Sequence, residues 1–102
     1  MKVIKILSKK IEEEICDAKD YAKMALKYKE EYPGLSRTLF NISLQEMEHM
    51  GLLHNEVAEL IKKYREEHGD PPAEMLAVYN YLHEEQIEKS AEVKTLQNMY
   101  KE

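Results

Sequence analysis

The sequence predicts an all-α protein built from three long helices. Its helix-breaking residues are concentrated at Pro33-Gly34 and Gly69-Asp70-Pro71-Pro72, which divide the 102-residue chain into three segments. Within each segment apolar residues recur every three or four positions, the period of a helix that buries one face. Three Gly and three Pro are too few for the many turns of an all-β domain. We therefore predict a single domain, residues 1–102, with helices over about 8–31, 34–67 and 71–99.

The predicted helix ends rest on particular residues. Ser8 is taken as the N-cap of the first helix, with residues 1–7 as an extended lead-in. Gly69 suits the left-handed residue that ends the second helix, and Asp70-Pro71 begins the third. The second helix would span roughly 50 Å at about 1.5 Å per residue. So long a helix is not covered within a compact monomer, which predicts a partner chain.

Charge and composition exclude several classes of protein. The 15 basic and 20 acidic residues are interspersed and give a net charge of −5, so no basic stripe exists for nucleic acid. No apolar run approaches the roughly 20 residues that cross a bilayer. With no secretory signal at the N-terminus, we expect a cytoplasmic protein without a membrane partner. The single Cys16 excludes an internal disulfide and a Cys-x-x-Cys zinc or iron module in this chain.

Polar residues interrupt the apolar seams of the first two helices. The seam of the second helix, with steps of four and three, comprises Leu35, Leu39, Ile42, Glu46, His49, Leu53, Glu56 and Leu60. The seam of the first helix comprises Ile11, Glu14, Ala18, Tyr21, Ala25, Tyr28 and Tyr32. Flanking apolar positions widen both faces, among them Ile15, Ala22, Phe40, Met47, Met50, Val57 and Ile61.

Carboxylates buried in a helical bundle need a compensating charge, and these seams contain no Lys or Arg. Glu46 and His49 lie three residues apart on one helix face, where both can bind one ion. Glu14 on the neighbouring helix would add a second carboxylate. Carboxylates with a single imidazole favour iron or manganese over structural zinc. Two alternatives remain: Glu46 and His49 form a metal-free polar pair that fixes register, and Glu14 extends outward to solvent.

The predicted register only roughly aligns these groups. For a turn centred near Pro33, Glu14 and the Glu46–His49 pair differ in level by about 5–9 Å at 1.5 Å per residue. Long Glu side chains and a tilted helix would have to close that gap.

Two motifs carry a family resemblance. Glu14 and Tyr21 form a Glu-x6-Tyr pair, and Glu46-Met47-Glu48-His49 contains Glu-x-x-His. Over residues 8–67 the chain thus resembles the ferritin-like superfamily, and rubrerythrin-type and encapsulated-ferritin-like di-iron carboxylate proteins most. The resemblance implies that Glu14 and His49 are terminal metal ligands and that Glu46 is a bridging ligand. It also implies that Tyr21 donates a hydrogen bond to a ligand.

The resemblance covers only half of a di-metal site. The third helix has no Glu-x-x-His, so we expect a second chain to complete the site. The resulting homodimer, or higher oligomer of dimers, would form a four-helix bundle. The bundle would hold two iron ions, with manganese as the alternative metal. The third helix would otherwise supply His83 or Glu88, although His83 also fits a packed core position. Glu56 is either an additional ligand or a solvated residue at the dimer rim. His54 and His68 are predicted to be surface residues.

The resemblance implies a protein that oxidises Fe(II) with O2 or peroxide, or that reduces peroxide. Because Cys16 is the only cysteine, the electrons for peroxide reduction would come from Fe(II) or an external donor. The alternative is a non-enzymatic helical oligomerisation or interaction module that retains a ferritin-like fold.

Overall fold

The computed structural model describes residues 2–102, which form three helices and no strands. These helices are α1 (Lys2–Tyr28), α2 (Pro33–His68) and α3 (Ala73–Lys101). They lie along one another in a rod of 56 × 19 × 18 Å. The predicted all-helical class is therefore confirmed. None of the helices within residues 2–102 combines the length and the apolar character needed to cross a membrane.

Four helix ends differ from the prediction by two residues or more. The α1 helix ends at Tyr28, three residues earlier than predicted, and α3 ends at Lys101, two residues later. Residues 2–7 are helical, and Ser8 is a buried residue inside α1 and not its cap. The extra turns of α1 form because Ile4 and Leu7 pack against the core. The third helix begins at Ala73, two residues later than predicted. Pro72 disfavours helical geometry at the residue that precedes it, which keeps Pro71 outside the helix.

Gly69 ends α2 as the sequence predicts. Its φ of 78° lies in the left-handed region that glycine adopts without strain, and its N–H donates to the carbonyl of Arg65. The chain can then reverse direction through the two prolines into α3.

The α1 helix is central, because it packs closely against both other helices. Its buried stripe includes Ile11, Ile15 and Ala18, which meet Val57 of α2 and Val93 of α3. Each large apolar side chain in this cluster stabilises the fold by about 1.5–3 kcal/mol through burial. Nearer the other end, a second buried cluster contains Ala25, Leu39 and Phe40.

Two serines fix the close approach of α1 and α2. The hydroxyl of Ser43 donates to the carbonyl of Ala18 over 2.7 Å, and that of Ser36 donates to the carbonyl of Ala25 over 2.5 Å. Such bonds between helices form only where small residues bring the two backbones together. Both serines are fully buried, and the apolar pattern of the sequence did not reveal them.

The α3 helix covers only one side of α2. Phe40 stacks on Tyr100, with ring centroids 4.2 Å apart, and Ser43 accepts a hydrogen bond from Gln97. Part of the predicted seam of α2 lies round the helix from these contacts, so Leu35 remains 49% exposed. Leu39 and Leu53 of that seam pack into the two core clusters, together with the flanking positions, of which Val57 is the most buried on α2. We call the partly exposed strip that contains Glu14, Tyr21, Leu35, Ile42, Glu46 and His49 the open α1–α2 face.

Candidate metal centre

Three predicted ligands come together on the open α1–α2 face. Glu14 belongs to α1, and Glu46 and His49 lie one turn apart on α2. One ligand atom from each residue lies within 4.8 Å of the others. The gap predicted from the register is therefore closed. The hydrogen bond between Ser43 and Ala18, about one turn away along both helices, holds the helices in the register that closes it.

Glu14 has a buried carboxylate oxygen that lacks a partner. Its side chain is 24% exposed, and its Oε2 atom forms no hydrogen bond within residues 2–102. The nearest basic group is the imidazole of His49, whose Nδ1 atom lies 3.7 Å from Oε2. A buried acceptor without a donor costs about 1–3 kcal/mol, and more when it is charged. A cation bound beside Glu14 would remove this cost.

Glu46 holds its proton unusually tightly. A hydrogen bond with Glu14 and partial burial, together with the negative charges of Glu14 and Asp17, raise the pKa of Glu46 to about 7. The nearby His49 acts in the opposite direction. Near neutral pH Glu46 of the metal-free protein is therefore protonated in a substantial fraction of the molecules. A bound cation would take the place of that proton.

The donor set fits iron or manganese. Two carboxylates and one imidazole form an oxygen-rich group, and no thiolate or second imidazole joins it within residues 2–102. The imidazole of His49 is 57% exposed, so the group of three side chains is accessible from the surface of the open α1–α2 face. Together the three side chains offer the kinds of ligand atom that hard or intermediate divalent cations use.

The other predicted site residues lie outside this group. Tyr21 is half-buried beside the second core cluster and forms no hydrogen bond to Glu14 or His49 in the described residues. Its role as a hydrogen-bond donor stays a prediction. Glu56 is exposed on α2, and His83 of α3 contacts His54 instead. The expectation that His54 is a surface residue is wrong, because its ring is half-buried against His83.

Comparison with protein-family models, with curated proteins and with solved structures finds no match to this chain. The resemblance to ferritin-like proteins thus depends on the motifs of the sequence, and any function must be inferred from the geometry of Glu14, Glu46 and His49.

The raised pKa of Glu46 predicts a pH-dependent stability of the metal-free protein. Since Glu46 keeps its proton up to about pH 7 when folded and up to about pH 4.5 when unfolded, its protonation favours the folded state. This contribution to the free energy of unfolding is fully present below the pKa that Glu46 has in the unfolded chain. It is lost as the pH rises through the pKa that Glu46 has in the folded protein. Because the pair is partly solvated, we expect a loss of about 1 kcal/mol between about pH 5 and pH 8.

Urea denaturation at both pH values measures this effect as a difference between variants. Glu46→Gln should remove the pH-dependent loss, whereas Glu48→Gln, a neighbouring exposed carboxylate, should retain it. Equal pH dependence in the two variants would show that Glu46 titrates normally.

Proposed function

We propose that this chain is a di-iron carboxylate protein whose centre is completed in a homodimer, and that it oxidises Fe(II) with O2 or peroxide. The observation that supports this proposal is the unpartnered Oε2 atom of Glu14, which lies beside a second carboxylate and an imidazole. Retaining an uncompensated acidic group in a bundle is costly, and a metal ion explains why it is there.

The dimer is inferred from the incomplete ligand set and from the open α1–α2 face. One chain provides two carboxylates and one imidazole, and two chains related by a two-fold axis provide four carboxylates and two imidazoles. That is the ligand set of a di-iron bundle. The same face contains the exposed Leu35 and the half-buried Ile42, apolar side chains that a second hairpin of α1 and α2 would bury further.

Each residue has a distinct task in the proposed activity. Glu14 and Glu46 supply negative charge to the metals, and Glu46 releases its proton when metal binds. His49 adds a neutral nitrogen ligand. Iron held by these residues would supply one-electron chemistry: oxidation of two Fe(II) to two Fe(III) would provide the electrons that, with two protons, reduce one peroxide to two water molecules. With manganese bound instead, the same ligands would serve. Reduction of further peroxide requires an external electron donor.

Anaerobic titration with Fe(II) tests the proposal directly. We expect about one iron per chain and a particle with the mass of a dimer, measured by metal analysis and sedimentation. In His49→Ala iron binding should be lost, whereas His68→Ala should bind iron like the wild-type protein, since His68 is an exposed histidine elsewhere on α2. A monomer that binds no iron would contradict both the centre and the dimer.

The open α1–α2 face also favours a second candidate, a non-enzymatic helical interaction module. Here the apolar residues drive assembly, and the contact of His49 with Glu14 serves only to fix the register. This candidate predicts a dimer that forms equally well in Fe(II) and in chelator and that retains no metal.

A further inference from the structure

A pair of histidines lies on the other side of α2, towards α3. The Nε2 atom of His54 is 3.2 Å from the Nδ1 atom of His83. The two rings have centroids 4.8 Å apart and planes inclined by 25°, and both residues are half-buried. Tyr79, one turn before His83 on α3, lies nearly parallel to its ring at a centroid distance of 5.8 Å, which restrains the orientation of the imidazole.

The separation of the two nitrogens suits a shared metal ion. An imidazole nitrogen binds zinc at about 2.0–2.1 Å. Two such nitrogens lie about 3.4 Å apart at a tetrahedral angle and about 3.0 Å apart at a right angle, the geometries preferred by zinc and by copper or nickel. The observed 3.2 Å falls between these values, and rotation of the rings would turn both lone pairs towards one ion.

The protonation state of the pair also suits metal binding. Burial and the neighbouring His83 lower the pKa of His54, which keeps its imidazole neutral at physiological pH. Neither ring forms an ion pair with a carboxylate within residues 2–102. In the metal-free protein one nitrogen donates its proton to the other, and an ion can replace that proton.

We propose that His54 and His83 form a second metal site that binds a late first-row ion of the Ni2+, Cu2+ and Zn2+ class and clamps α2 to α3. This site is separate from the Glu14–Glu46–His49 group, which lies on the open α1–α2 face. Water completes the coordination. Of the three pairs of helices, α2 and α3 pack against each other least closely. A shared ion would therefore cross-link the pair that is otherwise held together most weakly.

The test uses full-length protein carrying Glu46→Gln and His49→Asn, so that the first centre cannot account for binding. Calorimetric titration should give one Ni2+ per chain. With free Ni2+ at about 100 times its dissociation constant, the melting temperature should rise by about 10–20 °C and return when chelator is added. The further substitutions His54→Asn or His83→Asn should abolish both effects, while His68→Asn should retain them.

The outcomes separate this site from the proposed di-iron function. Absence of Ni2+ binding by the folded Glu46→Gln/His49→Asn protein would overturn the second site without affecting the first. Equal binding with and without His54 would assign the ion to other residues and would also overturn it. If one of the two histidine variants fails to fold, the other variant and the titration still decide the question.

Discussion

Glu46→Ala is expected to lower the initial rate of Fe(II) oxidation by at least about 100-fold. Substitution of residues that merely orient a metal ligand costs about 10–100-fold in affinity or activity, so removal of a ligand that two ions share should cost at least as much. The proposed dimer enlarges the effect, because each substitution removes a carboxylate from both halves of the site. Oxygen consumption and the appearance of Fe(III) absorbance measure the rate.

Glu48→Ala is the matched control for this experiment. Glu48 is two residues from Glu46 on the same helix, is exposed, and lies outside the Glu14–Glu46–His49 group. Its substitution makes the same chemical change and should leave the rate within about twofold of wild type, as expected for a surface position. If Glu46→Ala and Glu48→Ala oxidise Fe(II) equally fast while both remain helical by circular dichroism, the proposed activity does not use this site.

The number and approximate extent of the helices followed from local sequence signals. Pro33 fits only the first turn of a helix and the left-handed φ of Gly69 ends one, so both limits arise from the local backbone. The start of α1 depends instead on packing. Ser8 has the chemistry of a cap, but burial of Ile4 and Leu7 extends the helix past it. Local capping preference cannot reveal such distant contacts.

The side-chain grouping at the candidate centre was predictable, but its geometry was not. Glu-x-x-His places Glu46 and His49 on one face by helical periodicity alone. The level of Glu14 depends on how α1 slides along α2, which the small residues Ala18 and Ser43 determine through a hydrogen bond between the helices. Only the folded chain shows which of several possible registers these residues select.

The faces of α2 show a second limit of the sequence pattern. Its two adjacent apolar stripes have the same period, and nothing local distinguishes the stripe that faces the core from the stripe left open. The His54–His83 contact was missed for a related reason. The residues are 29 positions apart on different helices, and their contact depends on the packing of α3 along α1. No spacing within one helix indicates it.

Ala18→Leu is expected to cause a large loss of stability in the shared core. Ala18 is completely buried, and the hydroxyl of Ser43 reaches its carbonyl over 2.7 Å, so α1 and α2 are in close contact there. A leucine side chain would push the helices apart and break this bond. Overpacking commonly costs about 1–3 kcal/mol, and the lost bond adds about 1 kcal/mol. For a domain of this size, the melting temperature should fall by more than about 10 °C.

Ala58→Leu tests whether the cost comes from packing or from the leucine itself. Ala58 is exposed on α2, and alanine and leucine have similar helix propensities. The free energy of unfolding of this variant should therefore lie within about 0.5 kcal/mol of that of the wild type.

Because Ala18 is one turn from Glu14, the wider spacing of α1 and α2 in Ala18→Leu should also separate Glu14 from Glu46 and weaken iron binding. Urea denaturation and Fe(II) titration of the two variants measure both effects. Equal stability of Ala18→Leu and Ala58→Leu would show that α1 and α2 are not closely packed at Ala18. Close packing there would then not explain the register that brings the three ligands together.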